Sequence, residues 1–298
     1  MDNLTHSLIG AALGQAGLKR KTGLAMPALI IAANLPDIDA PAALMGIESL
    51  AIRRGITHGP IALVVLPLLL AWGLLWWDRR QARRGTRPEA RLPVRFGWLL
   101  ALCYLGALTH PFFDWLNSYG VRLLEPFSHQ WFYGDALFII DPWIILLLWF
   151  GVWRSRRDER EGEVQWRLPA IVALIIVAAY VWANLAITAS AVKGVPGVAV
   201  ANPVLLQSAS RDILVRFGPD YGSSRNGVGS DYFFGKPTNM SDPRIAEWAK
   251  NDPQAQAFLF WSRMPIAELH PDRIVLRDQR FMGSFAGDRF SVTLRPPQ

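Results

Sequence analysis

The chain has 298 residues, enough for one large or two modest domains, and its single cysteine, Cys103, excludes an intrachain disulfide and any cysteine-rich metal site. Hydrophobic residues make up 51% and the mean hydropathy is +0.19, but long apolar runs are confined to the part before about residue 192 and the remainder reads as an ordinary soluble sequence. The net charge of +7 comes largely from arginine clusters between apolar runs, a pattern that suits membrane topology and gives no reason to expect a nucleic-acid partner.

Met1 is followed by Asp2 with no basic n-region, so no cleavable signal peptide is expected. Asn3 to Leu18 is apolar, rich in small residues, and contains Gly10 and Gly14 at a spacing that permits close helix approach. Leu24 to Leu35 is a second short apolar run, stopped by Pro36. At about 1.5 Å per residue both fall short of a ~30 Å hydrocarbon core, so they are expected as short or re-entrant spans. Pro60 to Trp77, Phe96 to Phe113, Ala136 to Trp153 and Leu168 to Val192 are the longer apolar runs. Lys19 to Lys21, the arginines between Asp78 and Arg95, and those between Arg154 and Arg167 are the basic loops. Positive charge stays in the cytoplasm, so these loops are placed inside, giving six crossings with both termini outside. After Val192, short alternating runs at 211–217, 273–277 and 289–294 read as half-buried strands, and Asp242 to Trp261 reads as helical. The expected fold is therefore mainly α. A polytopic membrane bundle of about six hydrophobic helices, the first two short, occupies 1–192, and a small β-rich outer domain occupies 193–298.

The residues able to do chemistry collect at one end of this topology. Drawn from the arginines alone, it places His6, Asp37, Asp39, His58, His110, Asp114, Asp135 and Asp141 on the outer side. His110 and Asp114 stand four residues apart and share one helix face. Neutral nitrogen and anionic oxygen together suit zinc or manganese. Asp37 and Asp39 are close carboxylates that repel unless a cation or proton lies between them. Several such groups are expected to hold two or more divalent ions and to activate water without a serine or cysteine nucleophile. Three of the five histidines follow threonine, as Thr5-His6, Thr57-His58 and Thr109-His110; threonine and histidine also suit helix ends, and no internal repeat is inferred. Arg53 and Arg54 lie in an outer loop against the charge trend, and the planar fork of arginine suits phosphate. Arg54 and Asp39 are accordingly assigned catalytic roles. HExxH is absent, so a zincin-type protease has no support.

The ordered set Thr5-His6, Asn34 to Asp39, Arg54 to His58 and Leu108 to Asp114 resembles the bacterial inner-membrane, metal-dependent hydrolases of the YdjM type over about the first 190 residues. Its order also looks like that of zinc-dependent phospholipase C. That resemblance implies His6, Asp37, His58, His110 and Asp114 as ligands and a phosphoester as the bond cleaved. Embedding in membrane makes a lipid-borne or small-molecule phosphoester the expected substrate, with membrane lipid as a partner. The competing classes are a non-catalytic membrane protein with a structural metal site and a transporter; the transporter would spread polar residues through the membrane depth, whereas here they gather at one end.

Overall fold

Local capping and proline placement set the helix starts. A computed structural model describes residues 1–225, 233–282 and 287–297. Asp2 accepts hydrogen bonds from the backbone of Leu4 and Thr5, both at 3.0 Å, and so starts α1, Asn3–Gln15. Next come α2, Ala25–Ala32, and α3, Ser49–Ile52, joined through tight 3-10 turns over Leu35–Glu48. Pro60 opens α4, Pro60–Arg83, in the first turn where its missing N–H has no partner to lose. After α5, Phe96–Trp115, Asp141 caps α6, Pro142–Arg160, by accepting from Trp143 and Ile144 and from the Tyr180 hydroxyl. That gives Asp141 a structural role the sequence left open. The last long helix is α7, Leu168–Ala191.

Among the described residues, four stretches are long and apolar enough to cross a membrane: Ala25–Ile52, Pro60–Arg83, Phe96–Trp115 and Leu168–Ala191. This is fewer than the six crossings expected. Helix α1 has only 13 residues, and α6 becomes charged from Arg154 onward. The second apolar run is longer than expected, because the 3-10 turns carry apolar residues on past Pro36.

The chain forms two compact units: Met1–Ile38 with Arg54–Asn184, and Asp39–Arg53 with Leu185–Gln298. In the first, α2 lies between α1 and α5. Its core is built of small residues, with Ala28 and Ala32 from α2, Ala71 from α4, and Leu99, Cys103 and Ala107 from α5. Two glycines set the spacing. A Cβ on Gly10 would meet the Leu29 carbonyl oxygen at 2.7 Å, and one on Gly106 would meet the same oxygen at 2.8 Å. Both neighbouring helices thus press on one peptide of α2.

The second unit holds an antiparallel four-stranded sheet of β1, Val198–Val204, β2, Gln207–Phe217, β3, Asp220–Arg225, and β4, Phe233–Pro237, in that order. Helices α8, Pro243–Ala249, and α9, Pro253–Trp261, follow, each begun by an aspartate cap. A three-stranded sheet of β5, Pro265–Leu269, β6, Ile274–Asp278, and β7, Ser291–Leu294, closes the chain. Alternation is visible in the pairing, where buried Leu276 stands opposite Ala267 on one side and Val292 on the other. The β-rich C-terminal region read from the sequence is therefore present, with α3 packed against α9 in the same unit.

Gly106→Ala tests the contact on α2. Alanine gains about 1 kcal/mol of helix propensity, but forcing a methyl group into backbone costs about 1–3 kcal/mol, and the Leu29 oxygen cannot rotate away. Thermal unfolding in detergent should show a lower midpoint. A midpoint equal to or above that of the unaltered protein would show that the helices can separate freely.

Candidate metal centre

The glycine contacts fix where two histidines meet. His6 precedes Gly10 by one helical turn, and His110 follows Gly106 by one turn, on helices flanking α2. Their rings stack at 3.8 Å between centroids with planes 17° apart. His58 comes from the short turn Ile56–His58 just before α4, its ring 5.1 Å from that of His110. Gly59 allows this entry, because a Cβ there would stand 2.0 Å from the Glu125 carbonyl oxygen. Asp37 arrives on the 3-10 turns after α2, and Asp114 lies one turn beyond His110 on α5.

Asp37, His58, His110 and Asp114 each offer one ligand atom, and these atoms all lie within 4.8 Å of one another. All four side chains are buried, with Asp37 the least so at 8% exposure. Imidazole Nε2 atoms converge on the carboxylates. His58 Nε2 is 3.4 Å from Asp114 Oδ2, and His110 Nε2 is 3.6 Å from the same oxygen and 3.7 Å from Asp37 Oδ1. His6 Nε2 approaches the other oxygen, Asp114 Oδ1, at 3.4 Å.

These separations discriminate between a hydrogen-bonded cluster and a cation site. They exceed the roughly 3.2 Å limit of an N–H···O bond. Ligand bonds of about 2.1 Å around a tetrahedral ion put neighbouring ligand atoms about 3.4 Å apart. The tautomer of His110 agrees. Its Nδ1 lies 2.7 Å from the Ala33 carbonyl oxygen, which can only accept, so Nδ1 carries the proton and Nε2 presents a lone pair. A lone pair facing two carboxylate oxygens is repulsive without a cation between them. The donor set therefore fits a divalent metal.

Around this set runs a supporting layer. Arg54 is 3% exposed and has φ of +55°. Its Nε and Nη2 donate to the two oxygens of Asp114 at 2.9 and 3.1 Å, and Nη1 donates to Asn117 at 3.0 Å. The guanidinium also lies 4.7 Å from the Tyr119 ring centroid. The backbone of Arg122 donates to the Arg54 carbonyl at 2.9 Å, which holds the unusual backbone in place. The α-amino group of Met1 donates to Asp114 Oδ1. Thr57 Oγ1 meets His58 Nδ1 at 2.9 Å and so orients that ring.

A family model described as YdjM inner membrane protein matches residues 1–191. The chain belongs to the YdjM inner membrane protein family. No curated protein and no solved structure matches the chain, so the likeness to phospholipase C rests on motif order alone. The family match covers every residue of the cluster.

Of the sequence-predicted ligands, His6, Asp37, His58, His110 and Asp114 come together in one unit of this YdjM-family chain. Asp39 falls in the second compact unit, where its Oδ1 faces Arg53 Nε at 4.0 Å. Asp135 is buried with φ of +49°. Asn117, Tyr119 and Ala33 were not picked out from sequence. Asn117 stands three residues after Asp114, a helical spacing that could have marked it, whereas a backbone carbonyl such as that of Ala33 leaves no trace in side-chain pattern.

Purified protein should bind a divalent metal tightly. His110→Ala and Asp37→Asn should each purify without it, and Arg54→Ala should weaken binding by about 10- to 100-fold, the usual effect of losing a group that orients a ligand. Metal analysis with competing chelator reads this out, and full metal content in the first two variants would remove both from the ligand set.

Proposed function

We propose that the protein is a membrane-bound, metal-dependent hydrolase, a phosphoesterase acting on a lipid-borne or periplasmic substrate. The observation that carries this reading is the convergence of imidazole Nε2 atoms on Asp37 and Asp114 at 3.4–3.7 Å. Zinc, or manganese in its place, would supply Lewis acidity and a water of lowered pKa at that point. His58 and His110 would hold the ion through Nε2, with the Ala33 carbonyl fixing the second ring. Asp114 faces His58 and His110 through Oδ2, whereas its Oδ1, near His6, already accepts from Met1 and Arg54. Arg54 is a positioning residue in this scheme, because its fork is turned to Asp114. Asp37, the least buried of the four, marks the side from which substrate reaches the site.

A non-catalytic metal site that stabilises the bundle is the second reading, favoured by the burial of all four residues. The two differ in coordination, since a structural site is closed and a catalytic one keeps a position for water. A phosphoester screen on the metal-loaded protein separates them. In the catalytic case, Asp37→Asn abolishes turnover while the protein stays folded. In the structural case there is no turnover to lose, and metal removal lowers the unfolding midpoint. Metal content, midpoint and activity are read on the same samples, and turnover that survives metal removal would sink the hydrolase reading.

The proposed orientation places the cluster at the periplasmic face, because the arginines of 78–95 sit at the other end of α4 and α5. Cysteine substitutions at exposed Thr86 and Gln130 should be labelled from the cytoplasm and from the periplasm respectively. The buried Cys103 contributes no background. The reverse pattern would invert the topology.

A further inference from the structure

At the end of α4 remote from the metal cluster, the structure presents a groove of about 900 Å³ whose wall changes from aromatic to cationic. Trp72, Leu75 and Trp76 line its apolar part with Phe96 of α5, and Arg79 and Arg83 line its end. The α4 residues recur at three- and four-residue intervals, so they form one stripe along the helix. Trp72 and Trp76 are 66% and 54% exposed, on a helix apolar enough to cross a membrane. Their rings therefore face lipid rather than a protein core.

The charge balance at this end is one-sided. The nearest acid on α4, Asp78, is taken by Arg87 and Arg91, with contacts of 3.1 and 2.9 Å. Arg80 turns onto the Trp76 ring at 5.2 Å. Among the described residues Arg79 and Arg83 form no ion pair. Two guanidinium groups thus stand at the open end of an apolar groove, at the boundary where the apolar part of the helix stops. A second groove, between α1 and α6, is lined by Trp149, Trp153, Arg156, Arg157 and Arg160, but also by Glu161, which holds Arg157 at 2.8 Å. Among the described residues, the α4 groove differs in having no acid in its lining to repel a phosphate.

We propose that the α4 groove is a binding site for an anionic phospholipid, with the headgroup phosphate on Arg79 and Arg83 and acyl chain along Trp72, Leu75 and Trp76. Basic residues where a membrane helix meets the headgroups attract anionic lipid, and the guanidinium fork suits phosphate oxygens. The site is separate from the metal centre. Phe96 opens α5 and His110 lies near its other end, about 21 Å away along the helix. It therefore stands whether or not the cluster is catalytic.

The test is native mass spectrometry of the full chain in detergent, titrated with phosphatidylglycerol or with phosphatidylcholine of the same acyl chains. The unaltered protein should retain phosphatidylglycerol about 30-fold more tightly, as two basic contacts imply. Arg79→Gln with Arg83→Gln should remove that preference and leave phosphatidylcholine binding unchanged, whereas Arg79→Lys with Arg83→Lys should keep most of it. Trp72→Ala with Trp76→Ala should weaken both lipids. Both arginines are exposed, so these changes leave the core intact, and unfolding midpoints confirm it. Equal retention of the two lipids by the unaltered protein, or an undiminished preference in the glutamine variant, overturns the proposal. Displacement of phosphatidylglycerol by inorganic phosphate at equal concentration also overturns it, because the site would then read the anion without the lipid.

Discussion

The first unit depends on how closely α1 and α5 approach α2. Both reach the same peptide, at Leu29, and each does so through a glycine whose Cβ would collide with it. Dispersion and steric contact of this kind act over tenths of an ångström, so the approach also fixes the positions one turn away. On one side that position is His6 and on the other His110. Ring stacking at 3.8 Å follows from helix packing rather than from any attraction between two imidazoles. The small-residue spacing in α1 thus has a definite use at Gly10. A Cβ on Gly14 would press on the flexible end of Met26 and meet Leu29 at ordinary contact distance, so that position is less constrained.

Much of this site was legible in the sequence because the ligand types are rare in apolar runs. A histidine or aspartate at the end of such a run is conspicuous. Membrane association was legible for the same reason. The limits were also physical. Helical periodicity does not reveal that 3-10 turns extend the second apolar stretch to Ile52, since Pro36 reads as a stop. Short apolar runs such as those in α1 and α6 do not show by composition whether they span. Asp39 looked equivalent to Asp37 because two residues of sequence carry no information on which compact unit a side chain joins. The strands of the C-terminal region were visible through alternation, as at 211–217, which lies within β2.

The three threonine–histidine pairs illustrate why a shared motif need not be a repeat. Thr5 bonds to the helix-capping Asp2 at 2.6 Å, Thr57 meets the ring of its own histidine, and Thr109 bonds back to the Gly106 carbonyl at 2.7 Å. One steadies a helix start, one aims an imidazole, and one satisfies its hydroxyl inside a helix. Arg54 shows the converse. A residue type suited to phosphate is here engaged by the chain's own carboxylate, with a left-handed backbone that positions it there. Its effect on any reaction would pass through Asp114.

The hydrogen bond from His110 to the Ala33 carbonyl joins residues far apart in the chain. The same is true of His6 and Asp114. During synthesis the polar groups of α1 and of the turns after α2 emerge long before α5 exists. A chain threading into a bilayer would carry His6 and Asp37 without the groups that later enclose them, and unsatisfied polar atoms are costly in hydrocarbon. The early helices must therefore wait in a wet or sheltered setting until α5 arrives. Their shortness suits such a delay, and the four residues of the cluster can meet only after the last of their segments has been inserted.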